Sequence, residues 1–155
     1  MFNALVISAR IAKELTALER VVQRCTRTWA DFQTSGDDRF VDAIALNLQS
    51  FYTGVEHILE FVLLETDQAL PSGSHWQQIL LQLAATDVPQ LRPALLAEAT
   101  SHTLDRYRSF RHVVRNGYAF NLDANQVAPL VQALPETFAK VRHDLLAFAQ
   151  ALTAI

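Results

Sequence analysis

Hydrophobic positions recur every three or four residues along most of the chain, which is the spacing of one face of an α-helix. The first such stripe covers residues 4–32 and the second covers 40–62, with the sequence TSGDD at 34–38 between them. Asp37 or Asp38 can cap the second helix, because a short acidic side chain accepts hydrogen bonds from free backbone N–H groups. The pattern therefore predicts two long antiparallel helices at the start of the chain.

The middle of the chain predicts two more helices. A shorter apolar run at 75–85 follows a break at LPSGS, residues 70–74. A fourth helix should begin near Pro93, since proline suits a first helical turn. It should end near Asn116-Gly117, because both residue types tolerate the left-handed conformation that closes helices.

A fifth helix is predicted after Asp123, whose side chain can cap it, and its apolar stripe extends to Leu152. Pro135 should kink this helix or divide it into two in-phase pieces. No alternation of polar and apolar residues is long enough to predict a strand. The expected fold is all-α, an up-down bundle of about five helices that forms one domain over residues 1–155.

Composition narrows the classes of protein. Half of the 155 residues are hydrophobic and the formal net charge is −3, so a real core is expected and any site for nucleic acid must be local. No apolar stretch reaches about 18 residues and no secretion signal is recognisable, so we expect a cytoplasmic protein without membrane contact. The single cysteine, Cys25, excludes an internal disulfide and is expected to be a small buried hydrophobe.

The segment RSFRHVVRNGYAF, residues 108–120, concentrates cations. Three arginines and a tyrosine are spaced so that they lie on one side of the predicted fourth helix: Arg108, Arg111, Arg115 and Tyr118. The apolar residues between them fall largely on the other side and are expected to pack: Phe110, Val113 and Val114.

Two interpretations of these arginines are open. Guanidinium groups present a fork of donors that suits phosphate oxygens, so they can form a local site for an RNA phosphodiester. Alternatively, they are neutralised by Asp105, Glu98 or acidic residues of neighbouring helices.

The same segment resembles a known motif. Arg111 is followed by four residues and then by Asn116, Gly117 and Tyr118, which is similar to the Arg-x4-His-x-Tyr motif of the HepT-like branch of the HEPN superfamily. Further similarity extends over nearly the whole chain, in NLQSFYTGVEHILE (47–60), SHWQQILL (74–81) and LVQALPETFAKVRHDLLAF (130–148).

The resemblance implies a helical homodimer in which the motifs of two subunits face one cleft and act as a metal-independent endoribonuclease, with no cofactor. It also implies the toxin of a toxin–antitoxin pair, whose minimal nucleotidyltransferase antitoxin can modify the motif tyrosine with adenylate. By position, Arg111 would stabilise the phosphate and Tyr118 would contact RNA or accept the modification. Arg108 and Arg115 would assist RNA binding.

Asn116 departs from the motif, which has histidine at this position. Histidine can take the proton of a ribose 2′-hydroxyl, whereas asparagine forms hydrogen bonds but does not titrate near neutral pH. His112 is the candidate substitute within the segment, and its spacing of four residues permits a hydrogen bond to Asn116. On an ideal helix Asn116 lies about 140° from Arg111, so the two meet only if the helix end unwinds or across a dimer.

Three hypotheses follow: an endoribonuclease, an inactive HEPN module that binds a nucleotidyltransferase or RNA without cleavage, and a bundle that binds a metal or small ligand. The pairs His57–Glu60 and Glu98–His102 each provide half of a metal site in a helical bundle. Neither completes the paired Glu-x-x-His arrangement, so no metal is expected.

Overall fold

The computed structural model describes residues 3–117 and 122–154. These residues form five helices: α1 (Ala4–Ser35), α2 (Arg39–Asp67), α3 (Trp76–Ala84), α4 (Glu98–Asn116) and α5 (Ala124–Thr153). The described ranges contain no strand, and an isolated bridge joins Val88 and Arg92. The predicted all-α bundle is therefore confirmed.

The two long helices at the start of the chain are antiparallel neighbours. Leu18 packs on Gly54, and further along the pair the sulfur of Cys25 lies 3.9 Å from the carbonyl oxygen of Ile44. α1 packs against both α2 and α5, and its apolar stripe is buried as the spacing predicts: Ile7, Ile11, Leu15, Leu18, Val22 and Cys25. Burial raises the pKa of the Cys25 thiol to about 12.

Most helix ends follow the capping signals. The left-handed end predicted for α4 is wrong, because the helix ends at Asn116 but Gly117 is extended, with a φ of −107°. Gly36, at a φ of 68°, ends α1, and only glycine adopts this conformation at no steric cost. Asp38 occupies the cap position of α2 without a side-chain hydrogen bond, whereas Asp37 Oδ1 accepts one from the backbone N–H of Arg39 at 2.9 Å. Asp123 caps α5, as predicted, and the structure adds a reciprocal hydrogen bond in which the backbone N–H of Asp123 donates to the side chain of Gln126.

The predicted start of α4 at Pro93 is wrong, since the helix begins at Glu98. The intervening backbone is held by tertiary hydrogen bonds. The N–H groups of Leu95 and Leu96 donate to the carbonyl oxygen of Ala84, and the N–H of Ala97 donates to Asp144 at 2.9 Å. Groups committed to these partners cannot enter a helical ladder.

Pro135 was predicted to kink or to divide α5, and the division is wrong, because one helix includes both Pro129 and Pro135. A proline removes one backbone donor from the helix interior. Buried side chains continue in phase on both sides of Pro135, among them Leu134 and Phe138. Their packing keeps the helix continuous.

A buried arginine joins the end of α2 to the segment between α3 and α4. The side chain of Arg92 is fully enclosed and pairs with Asp67 at 2.7 and 2.9 Å. Its remaining N–H groups donate to the carbonyl oxygens of Thr86, Pro93 and Leu83. All five guanidinium N–H groups therefore have acceptors.

None of the helices in the described ranges is both long enough and apolar enough to cross a membrane.

Candidate functional site

Three of the four arginines of α4 lie on the side of the helix that carries its buried residues, whereas Arg106 is exposed. Leu104 is fully buried, and Arg108, Arg111 and Arg115 follow it by four, seven and eleven residues, which places them on the same side of the helix. This side faces α2, against which α4 packs.

The prediction that Val113 packs is wrong, because this side chain is 57% exposed. Phe110 packs partly against the core, and Val114 is half-buried. The arginine-bearing side faces α2, so Val113 is turned outward.

Arg111 and Arg115 line an open groove of about 440 Å³, which we call the arginine groove. The outer face of α2 provides its other residues: Leu46, Gln49, Ser50, Thr53, Gly54 and His57. α2 approaches α1 closely at Gly54, because a Cβ atom at this position would lie 2.5 Å from Leu18 Cδ2, and that side chain would have to shift. The groove thus combines two guanidinium groups, an imidazole, an amide and two hydroxyls.

Within the described residues, neutralisation by an acidic residue of the chain applies to one of the three arginines. Arg108 donates from Nε to Asp105 Oδ1 at 2.6 Å, and its side chain is 14% exposed, so it is neutralised within the chain. Glu98 instead approaches His102 at 3.9 Å. Arg111 and Arg115 form no ion pair with any acidic side chain of residues 3–117 and 122–154.

A buried carboxyl group lies beneath Arg111. Glu56 is 4% exposed, and neither its Oε2 nor the buried hydroxyl of Tyr52, one turn earlier, has a hydrogen-bond partner of good geometry in the described part of the chain. Burial raises the pKa of Glu56, and the nearby charge of Arg111 opposes that rise. Burial likewise raises the pKa of Tyr52. In its ionised form, Glu56 would attract the guanidinium of Arg111 toward α2.

The predicted hydrogen bond between His112 and Asn116 is confirmed. Asn116 Nδ2 lies 3.2 Å from His112 Nδ1 and donates to the His112 carbonyl oxygen at 3.0 Å. If the amide also donates to Nδ1, the neutral ring carries its proton on Nε2. Both side chains are exposed.

The described residues of the chain do not bring all the motif positions together. α4 stays helical to Asn116, so its end does not unwind there, and neither Asn116 nor His112 lines the arginine groove. Tyr118, the candidate for modification, lies outside the described residues.

Sequence reasoning missed His57 as a member of the site and considered it only with Glu60, as half of a metal site. The usable signal was the spacing of Leu46, Ser50, Thr53 and His57, which recur every three or four residues on the face of α2 opposite its apolar stripe. No cluster of three or more potential metal ligands occurs among the described residues.

The chain is similar to a known protein family. A family model described as HepT-like protein matches residues 43–152, which is more than half of the chain. No curated protein and no solved structure matches the chain. The matched segment includes α3, α4, nearly all of α2 and α5 as far as Leu152, and therefore every residue of the arginine groove.

Proposed function

The chain belongs to the HepT-like family, and from this premise we propose that it is a toxin–antitoxin component that acts on RNA as a metal-independent endoribonuclease. The observation that carries the proposal is the arginine groove. Arg111 and Arg115 are side by side there, without an acidic partner in the described residues. Two adjacent guanidinium groups attract anions, and a phosphodiester offers oxygens in the geometry that their donors prefer.

The remainder of the arginine groove suits an RNA backbone. Gln49, Ser50 and Thr53 add amide and hydroxyl groups beside the two arginines, and such groups contact phosphate and sugar oxygens. The net charge of −3 gives the whole chain no attraction for nucleic acid, so binding rests on this local pair of charges.

Cleavage of RNA in the presence of a chelator tests the proposal. Wild-type protein should cut a fluorogenic oligoribonucleotide in EDTA, and Arg111→Ala should abolish cutting. Arg106→Ala is the matched control, because Arg106 is an exposed arginine of the same helix outside the groove. Equal RNA cleavage by wild type and Arg111→Ala, or intact RNA with both, contradicts the proposal.

We further propose that the protein forms a homodimer whose two grooves build one cleft. The family resemblance motivates this idea, and Leu46 offers a way to test it. Its side chain is 64% exposed on the outer face of α2 at the edge of the arginine groove, and a charge buried there without a partner would oppose an interface. A dimer measured by light scattering should become monomeric on Leu46→Glu and lose its RNA cleavage. A monomeric wild type refutes the composite cleft.

The proposed partner is a minimal nucleotidyltransferase that modifies Tyr118. Its adenylate would place a negative charge three residues after Arg115 in the sequence, and this charge would compete with RNA for the arginines. Co-expression with a candidate partner should add one adenylate to the wild type in an intact-mass measurement, and Tyr118→Phe should stay unmodified. Modification of Tyr118→Phe at the wild-type level would exclude this tyrosine.

The second candidate function is an inactive module that binds RNA or the nucleotidyltransferase without cutting. It is favoured by Asn116, which donates to His112 and cannot transfer a proton. Asn116→His separates the two functions: it should create cleavage in a protein that lacks only this group. If wild type and Asn116→His both bind RNA but leave it intact, the missing histidine does not explain the inactivity.

A further inference from the structure

We propose that His57 is the proton-transferring residue of the arginine groove and performs the role that Asn116 cannot. The inference rests on the proposed ribonuclease activity and concerns which residue serves it. It stands on the shared location of His57, Arg111 and Arg115 in one groove, where α2 contributes the imidazole and α4 contributes the two guanidinium groups. A phosphate bound by both arginines would lie between the two helices, within the same groove as the ring.

The ring of His57 is available for chemistry. It is exposed, and among the described residues it makes no side-chain hydrogen bond and no ion pair with an acidic group. A general base must reach the proton that it removes and must not have both nitrogens engaged elsewhere. The nitrogens of His57 are not engaged by other side chains of the described residues. Its position in the arginine groove places the ring near a phosphate that the two arginines would bind.

The chain's other four histidines are less suited to this role. His112 is engaged by Asn116 and does not line the arginine groove. His102 borders a different depression, next to Asp105, and approaches Glu98. The remaining two are on other helices, His75 at the start of α3 and His143 on α5.

The step assigned to His57 is transesterification of the RNA backbone. Neutral His57 accepts the proton of the ribose 2′-hydroxyl while the 2′ oxygen bonds to phosphorus. The bond from phosphorus to the 5′ oxygen then breaks. Water protonates the departing 5′ oxygen, and the resulting hydroxide takes the proton from His57. The products are a 2′,3′-cyclic phosphate and a 5′-hydroxyl, with no change of oxidation state. Arg111 and Arg115 would stabilise the negative charge on the phosphate oxygens.

The test separates binding from proton transfer. His57→Ala and His57→Gln should cleave RNA about 10²–10⁴-fold more slowly than wild type and should bind a 2′-O-methyl oligonucleotide, which cannot be cut, within a few-fold of wild type. Added imidazole should restore part of the rate of His57→Ala, which a purely structural role does not predict. His143→Ala, an exposed histidine on α5, should cleave like wild type.

A measurement without turnover supplies the second readout. In NMR spectra of the wild type, the ring signals of His57, assigned by their loss in His57→Gln, should move when the 2′-O-methyl oligonucleotide binds, and those of His143 should not. Unmoved His57 signals in the bound protein overturn the inference.

The outcomes distinguish the two proposals. If wild type cleaves RNA and Arg111→Ala does not, but His57→Ala retains the wild-type rate, His57 is excluded and the proposed function stands. If His57→Ala is slow and imidazole leaves it slow, His57 is not the proton-transferring group. If wild-type protein leaves RNA intact, the ribonuclease proposal fails and the role of His57 fails with it.

Discussion

Replacing Arg92 with methionine tests how strongly the connection between α3 and α4 depends on one buried cation. Arg92→Met keeps an apolar chain of similar length but removes all five donors. The carboxylate of Asp67 and three backbone carbonyl oxygens then lose a partner in an enclosed site. Removing one member of a buried ion pair costs about 3–5 kcal/mol. In a chain of this size that loss lowers the melting temperature by roughly 6–20 °C.

Chemical and thermal unfolding followed by circular dichroism measure the effect. Arg39→Met is the matched control, because Arg39 also pairs with an aspartate, Asp37 at 2.6 Å, but its side chain is 91% exposed. Exposed pairs contribute little to stability, so this variant should unfold close to wild type. Equal losses in Arg92→Met and Arg39→Met would refute the argument that burial sets the size of the effect.

The pH dependence of the unfolding free energy tests the contribution of Asp67 to the same ion pair. Burial raises the pKa of this carboxyl group, but hydrogen bonds from Arg92 and Thr66 outweigh burial, and the pKa lies below its ordinary value. A lowered native pKa means that the pair stabilises the fold above about pH 4 and that this contribution is lost as the pH falls through the native value. In Arg92→Met, the unfolding free energy should therefore decrease less than in wild type as the pH falls below about 4. An unchanged acid-side profile would contradict the role of Arg92.

Three further outcomes are expected. Burial raises the native pKa of Glu56, so wild-type stability should fall as the pH rises from the ordinary pKa of a glutamate through this raised pKa. In urea titrations at several pH values, Glu56→Gln should remove that fall. An unchanged dependence of the unfolding free energy on pH would contradict the prediction. Asp123→Ala should cost about 1 kcal/mol, because it removes the cap of α5, whereas Asp38→Ala should unfold like wild type since that side chain makes no capping hydrogen bond. Cys25, whose pKa burial raises to about 12, should react with a thiol reagent only after denaturation, and rapid labelling of native protein would count against its burial.

Local signals predicted most of the helices. The apolar stripe of α1 and the cap of α5 by Asp123 involve residues close in sequence, and short-range spacing predicts such features directly. The start of α4 could not be predicted in this way, because the hydrogen bonds that hold Leu95, Leu96 and Ala97 come from Ala84 and Asp144. A proline suited to a first turn does not reveal partners that lie far along the chain.

In the candidate site, too, the features set by neighbouring residues in the sequence were predicted, and those set by packing between helices were not. Spacing predicted that Arg108, Arg111 and Arg115 share one side of α4, and it predicted the contact of His112 with Asn116. It could not say that this side turns toward α2, since the direction a helix face takes is decided by its neighbour. For that reason the sequence assigned Val113 to the packed side and left His57 out of the site.

The helix that lies outside the family-model match has a practical consequence. α1 precedes the matched segment, 43–152, yet its side chains are buried against α2 and α5. A truncated protein starting at residue 43 would open those two helices to water along the length that α1 covers. Such a fragment should aggregate in solution and bind hydrophobic dyes. Expression of the matched segment alone would therefore remove α1, which holds the groove-bearing helix α2 in place.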